Sequence, residues 1–315
     1  MRGFVRHALF LVLSLGVSKT TLAQSGLKLT DYYHNPILYN PAYVGVVEGY
    51  YTKAYYATQW LGFDQAPTSQ ILDAQHLTAN EKTGYGISVM NDTFGAVQNT
   101  NIELNYALHL ELDETTRLSM GLKAGVNDFR IDYSLLDIYD PNEAVYSQGN
   151  LSEKRPLVGV GAYIFDRDWF LGFSTPNLLN NEKITDDNTF VYSKKSHFYL
   201  QGGYNYVLND NFAFHNSLLL QVVSGTPIEY LLTSKAIYQS RFALGLQYNP
   251  GALIGGFLTG RISQSIAVTY AYDIGTGPLS QYAYGNHSFG LSFHLSGRLR
   301  WNQRLEDIRK PFFAR

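Results

Sequence analysis

Three clusters in this chain of 315 residues carry side chains that do chemistry in other settings. Asp137, Asp140, Asn142 and Glu143 gather oxygen donors of the kind calcium takes, though not at EF-hand spacing. Asn286-His287-Ser288 sets a base beside a nucleophile, the pairing a hydrolase uses. Gly84/Gly86 and Gly159/Gly161 have the look of phosphate-loop fragments. Each reading depends on the element beneath it. Adjacent residues of a strand point to opposite faces, so His287 and Ser288 cannot serve one substrate atom. No helix follows either glycine pair, and on strands such glycines relieve crowding or permit curvature. The acidic residues fall in the longest connection, where an oxygen-rich run needs no metal to explain it. The sequence therefore assigns no catalytic residue, no cofactor and no metal site. Glu111, Lys123 and Arg261 are expected to form internal ion pairs.

The elements that hold these residues alternate apolar and polar positions one by one. Between Ser265 and Ile274, Ile266, Val268, Tyr270, Tyr272 and Ile274 share one face, and Ala267, Thr269, Ala271 and Asp273 the other. The pattern recurs near 50–60, 68–77, 83–91, 100–112, 116–128, 156–165 and 168–174. It continues near 196–208, 211–222, 228–238, 241–248, 253–262, 265–274 and 287–295. Residues 1–23 read as a signal peptide: Arg2 and Arg6, an apolar run from Ala8 to Val17, and Thr21-Leu22-Ala23 at the cleavage site. That run is too short for a helical span, which takes roughly 20 residues. No cysteine follows it, so a lipid-anchored cysteine and disulfides are not expected. Aromatics are 15% and charged residues 16% of the chain, against about 25% charged in soluble domains. Aromatic girdles and an uncharged outer face account for both departures. A net charge of -2 gives no support to a nucleic-acid partner.

Together these features predict an all-β fold, a transmembrane antiparallel up-and-down barrel of about 14 strands over residues 50–295, in the bacterial outer membrane. Ile102, Leu104, Tyr106, Leu108, Leu110 and Leu112 should face lipid, opposite Asn101, Glu103, Asn105, His109 and Glu111. Short turns at 113–115, 166–168, 209–210 and 239–240 alternate with longer connections at 61–67, 92–99, 129–155, 175–195 and 275–286. Short turns on the periplasmic side place both chain ends in the periplasm. A soluble β-protein is disfavoured, because the face opposite the apolar one carries Glu, Lys, His, Asn and Arg.

Two flanking segments remain. Residues 24–49 include Asn35, Pro36, Asn40 and Pro41, and the prolines make a strand there improbable. This periplasmic or lumenal segment plugs the barrel, docks a periplasmic partner, or packs the barrel floor as a rigid lead-in. Residues 296–315 form a basic tail in which Arg298, Arg300, Arg304, Arg309, Lys310 and Arg315 meet only Glu306 and Asp307. Trp301, Leu305 and Ile308 share a face if 301–310 is helical, which would suit docking to a periplasmic subunit or an anionic lipid surface. A solvated tail is the alternative.

The segment Asn35-Pro36-Ile37-Leu38-Tyr39-Asn40-Pro41-Ala42-Tyr43-Val44-Gly45 resembles the NP-x-x-x-NPA-x-x-G signature of the PorP/SprF family. Gln59-Trp60, Gly84-Tyr85-Gly86-Ile87, Leu118 to Gly125, and Tyr270 to Ile274 followed by Gly285-Asn286-His287 resemble further family segments in the same order. The likeness spans residues 28–295. Ser288 stands where glutamate is frequent, and Asn216-Ser217 where a proline–serine pair is usual. The resemblance implies a non-enzymatic outer-membrane component of the type IX secretion system, acting in secretion, adhesin attachment or gliding. It implies as partners the periplasmic ring subunits and a large surface protein with a type B C-terminal sorting domain. Asn35, Pro36, Asn40, Pro41, Arg298, Arg300, Trp301 and Arg304 are the candidate docking residues. The alternative is an outer-membrane channel or transporter for small solutes.

Overall fold

A computed structural model describes residues 30–135, 150–179, 181–184, 190–276 and 285–295. The strands are β1 (Tyr50–Thr58), β2 (Thr68–Leu77), β3 (Thr83–Phe94), β4 (Val97–Glu111), β5 (Arg117–Ile131), β6 (Leu151–Phe165), β7 (Trp169–Thr175) and β8 (Asn181–Ile184). They continue as β9 (Phe190–Lys194), β10 (His197–Val207), β11 (Phe212–Val223), β12 (Glu229–Tyr238), β13 (Phe242–Asn249), β14 (Leu253–Arg261), β15 (Ile266–Gly275) and β16 (Asn286–Leu295). Fourteen close into one antiparallel barrel, each paired with its neighbour and β16 returning to β1. The other two, β8 and β9, form a separate hairpin inside the connection from β7 to β10.

Closure follows from the alternation. An open sheet would expose a row of unpaired backbone groups, which hydrocarbon cannot satisfy; a closed one has no edge. Tyr50 pairs with Leu295 and Thr58 with His287, so the first and last strands bring the chain to the same rim. On that rim the turns run 78–82, 112–116, 166–168, 208–211, 239–241 and 262–265, each three to five residues long. The opposite rim carries the longer connections 59–67, 132–150, 176–196 and 276–285.

The outer face is apolar as expected. Leu104 is 62% exposed, Leu244 61% and Leu246 65%, far more than a soluble protein tolerates in one continuous belt. Rings gather near the terminal rim: Tyr50 stacks on His76 at 3.9 Å, Tyr85 meets Tyr106 at 5.3 Å, and Phe212 meets Tyr238 at 4.9 Å.

Three connections differ from expectation: 129–155 narrows to 132–150, 175–195 holds the β8–β9 hairpin, and 92–99 nearly vanishes. In place of a loop over 92–99, β3 runs to Phe94 and β4 starts at Val97, with only Gly95 and Ala96 between them. Here the outward positions Asn91, Thr93, Gln98 and Thr100 are polar, and Gln98 Nε2 and Thr100 Oγ1 both donate to Asn91 Oδ1. Strands β4, β5 and β6 have 15 residues each. A bilayer needs about 9–11. These strands therefore stand above the apolar belt as a wall with a polar outside, where Arg130 pairs with Asp128 at 2.6 Å.

Belt position sets the cost of a charge. Leu104→Arg is expected to lower bilayer-embedded stability by about 2–4 kcal/mol, whereas Thr100→Arg on the same face should cost under ~1 kcal/mol. Urea unfolding in lipid vesicles measures both.

Candidate functional site

The lumen is filled by the segment before β1. Residues 30–35 and 37–47 are buried, and they form three short turns: α1 (Asp31–His34), α2 (Pro36–Tyr39) and a 3-10 turn (Pro41–Tyr43). The NP repeat explains this local structure. Asn35 ends α1, and Pro36 opens α2 with its fixed φ and missing donor. Asn40 ends α2, its Oδ1 accepts from the Ala42 N–H at 2.9 Å, and Pro41 opens the next turn. The same Asn40 donates through Nδ2 to the Ala162 carbonyl of β6 at 3.2 Å.

Four-residue helices cannot satisfy their own backbone, because the last four carbonyls of any helix lack internal partners. The barrel wall supplies donors. Lys53 Nζ donates to the His34 carbonyl. Lys123 Nζ donates to that of Leu38 at 2.8 Å, and Ser174 Oγ to that of Tyr39 at 2.8 Å. Ser119 Oγ donates to that of Ala42 at 2.6 Å, and His109 Nε2 to that of Val44 at 2.8 Å. His294 Nε2 donates to that of Glu48 at 2.7 Å. In return, Gly45 N donates to Gln75 Oε1 at 3.0 Å, and Tyr55 OH donates to Asp31 Oδ1 at 3.0 Å. Tyr39 is wholly buried, edge-on to Tyr32 and Tyr199 at 5.4 and 5.3 Å.

Space is made by the glycines. A Cβ on Gly84 would lie 2.4 Å from the Val44 oxygen, and one on Gly121 2.1 Å from the Ala42 nitrogen. One on Gly161 would meet Asn40 Oδ1 at 2.1 Å. Of the glycines expected to relieve crowding, Gly84, Gly86 and Gly161 do so against the plug, and Gly159 does so against Pro176 in the connection after β7.

The sequence-predicted residues fall into four groups. Asn35, Pro36, Asn40 and Pro41 lie together in the plug, and their side chains serve the plug rather than an open surface. Arg298, Arg300, Trp301 and Arg304 lie outside the described residues, as do Asp137, Asp140, Asn142 and Glu143. His287 and Ser288 point apart: His287 meets the Tyr270 hydroxyl outside at 2.9 Å, while Ser288 is buried inside. Lys123 pairs with Glu103 at 2.5 Å, not with Glu111, which lies at the rim 3.7 Å from Arg117. Among the described residues, no group of His, Asp and Glu could hold a metal ion. Alternation places His109 on the lumenal face; Lys53, Ser119, Ser174 and His294 carry only the signal of a hydrogen-bond donor at an inward position of a strand.

His34 is the plug's exceptional residue. It is buried with no hydrogen-bond partner for either ring nitrogen, against Tyr33, Tyr55 and Phe257 at ring distances of 5.4, 5.6 and 5.0 Å. Burial first, then the Lys53 and Lys235 ammonium groups, hold its imidazole well below the usual histidine range. A base with a lowered folded pKa contributes its full stability above about pH 6.5, and that contribution falls away as the pH drops below it.

Two consequences are measurable. Lys123→Met leaves Glu103 buried without its partner and the Leu38 carbonyl without its donor, at an expected cost of about 3–5 kcal/mol. Adding Glu103→Met should restore most of it, as read by denaturant titration. Acidification from pH 8 to pH 5 should speed amide exchange across residues 31–47 after correction for intrinsic rates. His34→Phe should show a smaller acid response in hydrogen-exchange mass spectrometry.

Solved barrels show a loose likeness. The outer membrane protein Omp33 of Acinetobacter baumannii aligns with a TM-score of 0.49 and 8% identity, over 80% of this chain and 100% of that one. A FadL homologue of Pseudomonas aeruginosa aligns with a TM-score of 0.49 and 11% identity, over 80% and 91%. The toluene transporter TodX of P. putida aligns with a TM-score of 0.49 and 8% identity, over 84% and 95%. No curated protein sequence matches the chain. The family model for the type IX secretion system membrane protein PorP/SprF matches residues 21–293. With its signature NP segment folded into the lumen of a membrane barrel, the chain belongs to the PorP/SprF family of type IX secretion system membrane proteins.

Proposed function

We propose that this barrel is a non-enzymatic outer-membrane component of the type IX secretion system that holds an exported surface protein of the adhesin or gliding type. The observation that supports this reading over a solute channel is the plug, whose carbonyls are bonded to donors on β1, β4, β5, β7 and β16. A conduit would leave that space to solute. The wall raised by β4, β5 and β6, next to the long connections 132–150 and 176–196, offers the exported partner a polar surface outside the membrane. That partner carries a type B C-terminal sorting domain. The rim with the short turns and both chain ends faces the periplasm, where the tail with Arg298, Arg300, Trp301 and Arg304 engages ring subunits of the machine.

Affinity capture of the tagged chain from detergent-solubilised outer membranes tests the reading. Co-recovery of a large exported surface protein or of periplasmic ring subunits is expected. A barrel that emerges alone after mild cross-linking, and that conducts in planar bilayers, would sink it. The plug makes a separate prediction: the intact protein should show no stepwise conductance, and deletion of residues 30–48 should create it. Gly121→Leu, which drives a side chain into Ala42, should give intermittent openings of the same size.

A further inference from the structure

A polar pair sits on the lipid-facing surface, away from the plug and from the long loops. Asn216 of β11 and Ser234 of β12 are register partners, both exposed on the outer face, and Ser234 Oγ donates to Asn216 Oδ1 at 2.8 Å. Along β11 the pair is bracketed by Phe212 and Phe214 on one side and by Leu218, Leu220 and Val222 on the other. Along β12, Ala236 and Tyr238 lie on one side, and Leu232 and Tyr230 on the other. Apolar residues above and below on both strands fix the pair inside the hydrocarbon layer.

The bond satisfies only half of the amide. Ser234 spends its one hydrogen on Asn216 Oδ1, while the Asn216 nitrogen keeps two hydrogens for which no described residue is an acceptor. Acyl chains offer no acceptor, and water is absent at that depth. An asparagine facing lipid alone would therefore be a standing cost, and the next strand shows what lipid prefers: Phe242, Leu244, Leu246 and Tyr248.

We propose that this face, centred on Asn216, is an interface with a second copy of the same chain across a two-fold axis within the membrane. An amide carries donors and an acceptor, so it is its own complement under a two-fold axis. Each Asn216 Nδ2 donates to the partner's amide oxygen, whose second lone pair the Ser234 bond leaves available. The pair is uncharged, so two copies meet without repulsion. Gly202, beside Leu218 on β10, and Ala236, beside Phe214, leave low spots diagonal to the pair, while Tyr204 on β10 and Leu246 on β13, its direct neighbours, border the contact. This assembly is independent of which exported partner the loops hold.

The chain has no cysteine, so Asn216→Cys places a sole thiol at the proposed axis. Oxidation or a short bis-thiol linker, applied in native outer membranes, should give a covalent species of twice the monomer mass. Leu258→Cys, on the lipid face of β14, should stay monomeric under the same treatment. In lipid nanodiscs the unmodified chain should have dimer mass, and Asn216→Leu half of it, with its heat-modifiable gel mobility unchanged to show an intact barrel. A wild-type chain that is monomeric in nanodiscs overturns the proposal. So does a thiol at 216 that links to nothing or to a different protein.

Discussion

The structure depends on a backbone that cannot satisfy itself. Three turns of three or four residues occupy the lumen; the capping N–H groups serve Asp31, Tyr32, Pro36 and Pro41, but the later carbonyls of His34, Leu38, Tyr39 and Ala42 must find their donors on the wall. In water that would cost little. Inside a barrel filled by protein, each orphan carbonyl must find a donor or carry the full desolvation penalty, about 1–3 kcal/mol. Lysines, serines and histidines at inward positions of the wall meet this demand. The buried charges follow from it. Lys123 reaches the Leu38 carbonyl only by losing its water, and Glu103 beside it offsets that loss. Lys53 stands directly across from Asp73 in the ladder between β1 and β2.

Much of this was legible in the sequence, and the gaps have physical causes. The barrel is readable because lipid and lumen impose opposite demands on neighbouring residues, so every strand writes its faces in alternation. The rule holds only within the belt. Beyond Val89 on β3 and before Ile102 on β4 the outer face meets water, and Asn91, Thr93, Gln98 and Thr100 look like loop. Yet the backbone ladder continues to Phe94, paired with Val97. Hydrogen bonding carries a strand past the point where hydrophobicity stops marking it. The β8–β9 hairpin was hidden for the same reason.

Partners across the lumen were less legible than faces. Alternation told that Lys123 points inward, but its ion partner depends on register, which puts Glu103 opposite Gly125 and Glu111 opposite Arg117 at the rim. The NP repeat told that residues 35–45 are not a strand. It did not tell which donors the wall would present, because those lie 19 to 246 residues away in the chain.

The distribution of these bonds bears on how the barrel closes. The first and last strands must meet from opposite ends of the chain, and the entropic cost of such a closure grows only slowly with length but is met before any seam bond forms. The plug bonds to both sides of that seam: Lys53 and Tyr55 belong to β1, and His294 to β16. It also bonds to β4, β5 and β7 on the wall. A segment that touches the seam and the wall together converts one long closure into several shorter ones, each offset by its own bond. The residues that fill the lumen thus also bring the first strand to the last. Emptying the lumen would remove a support of the seam.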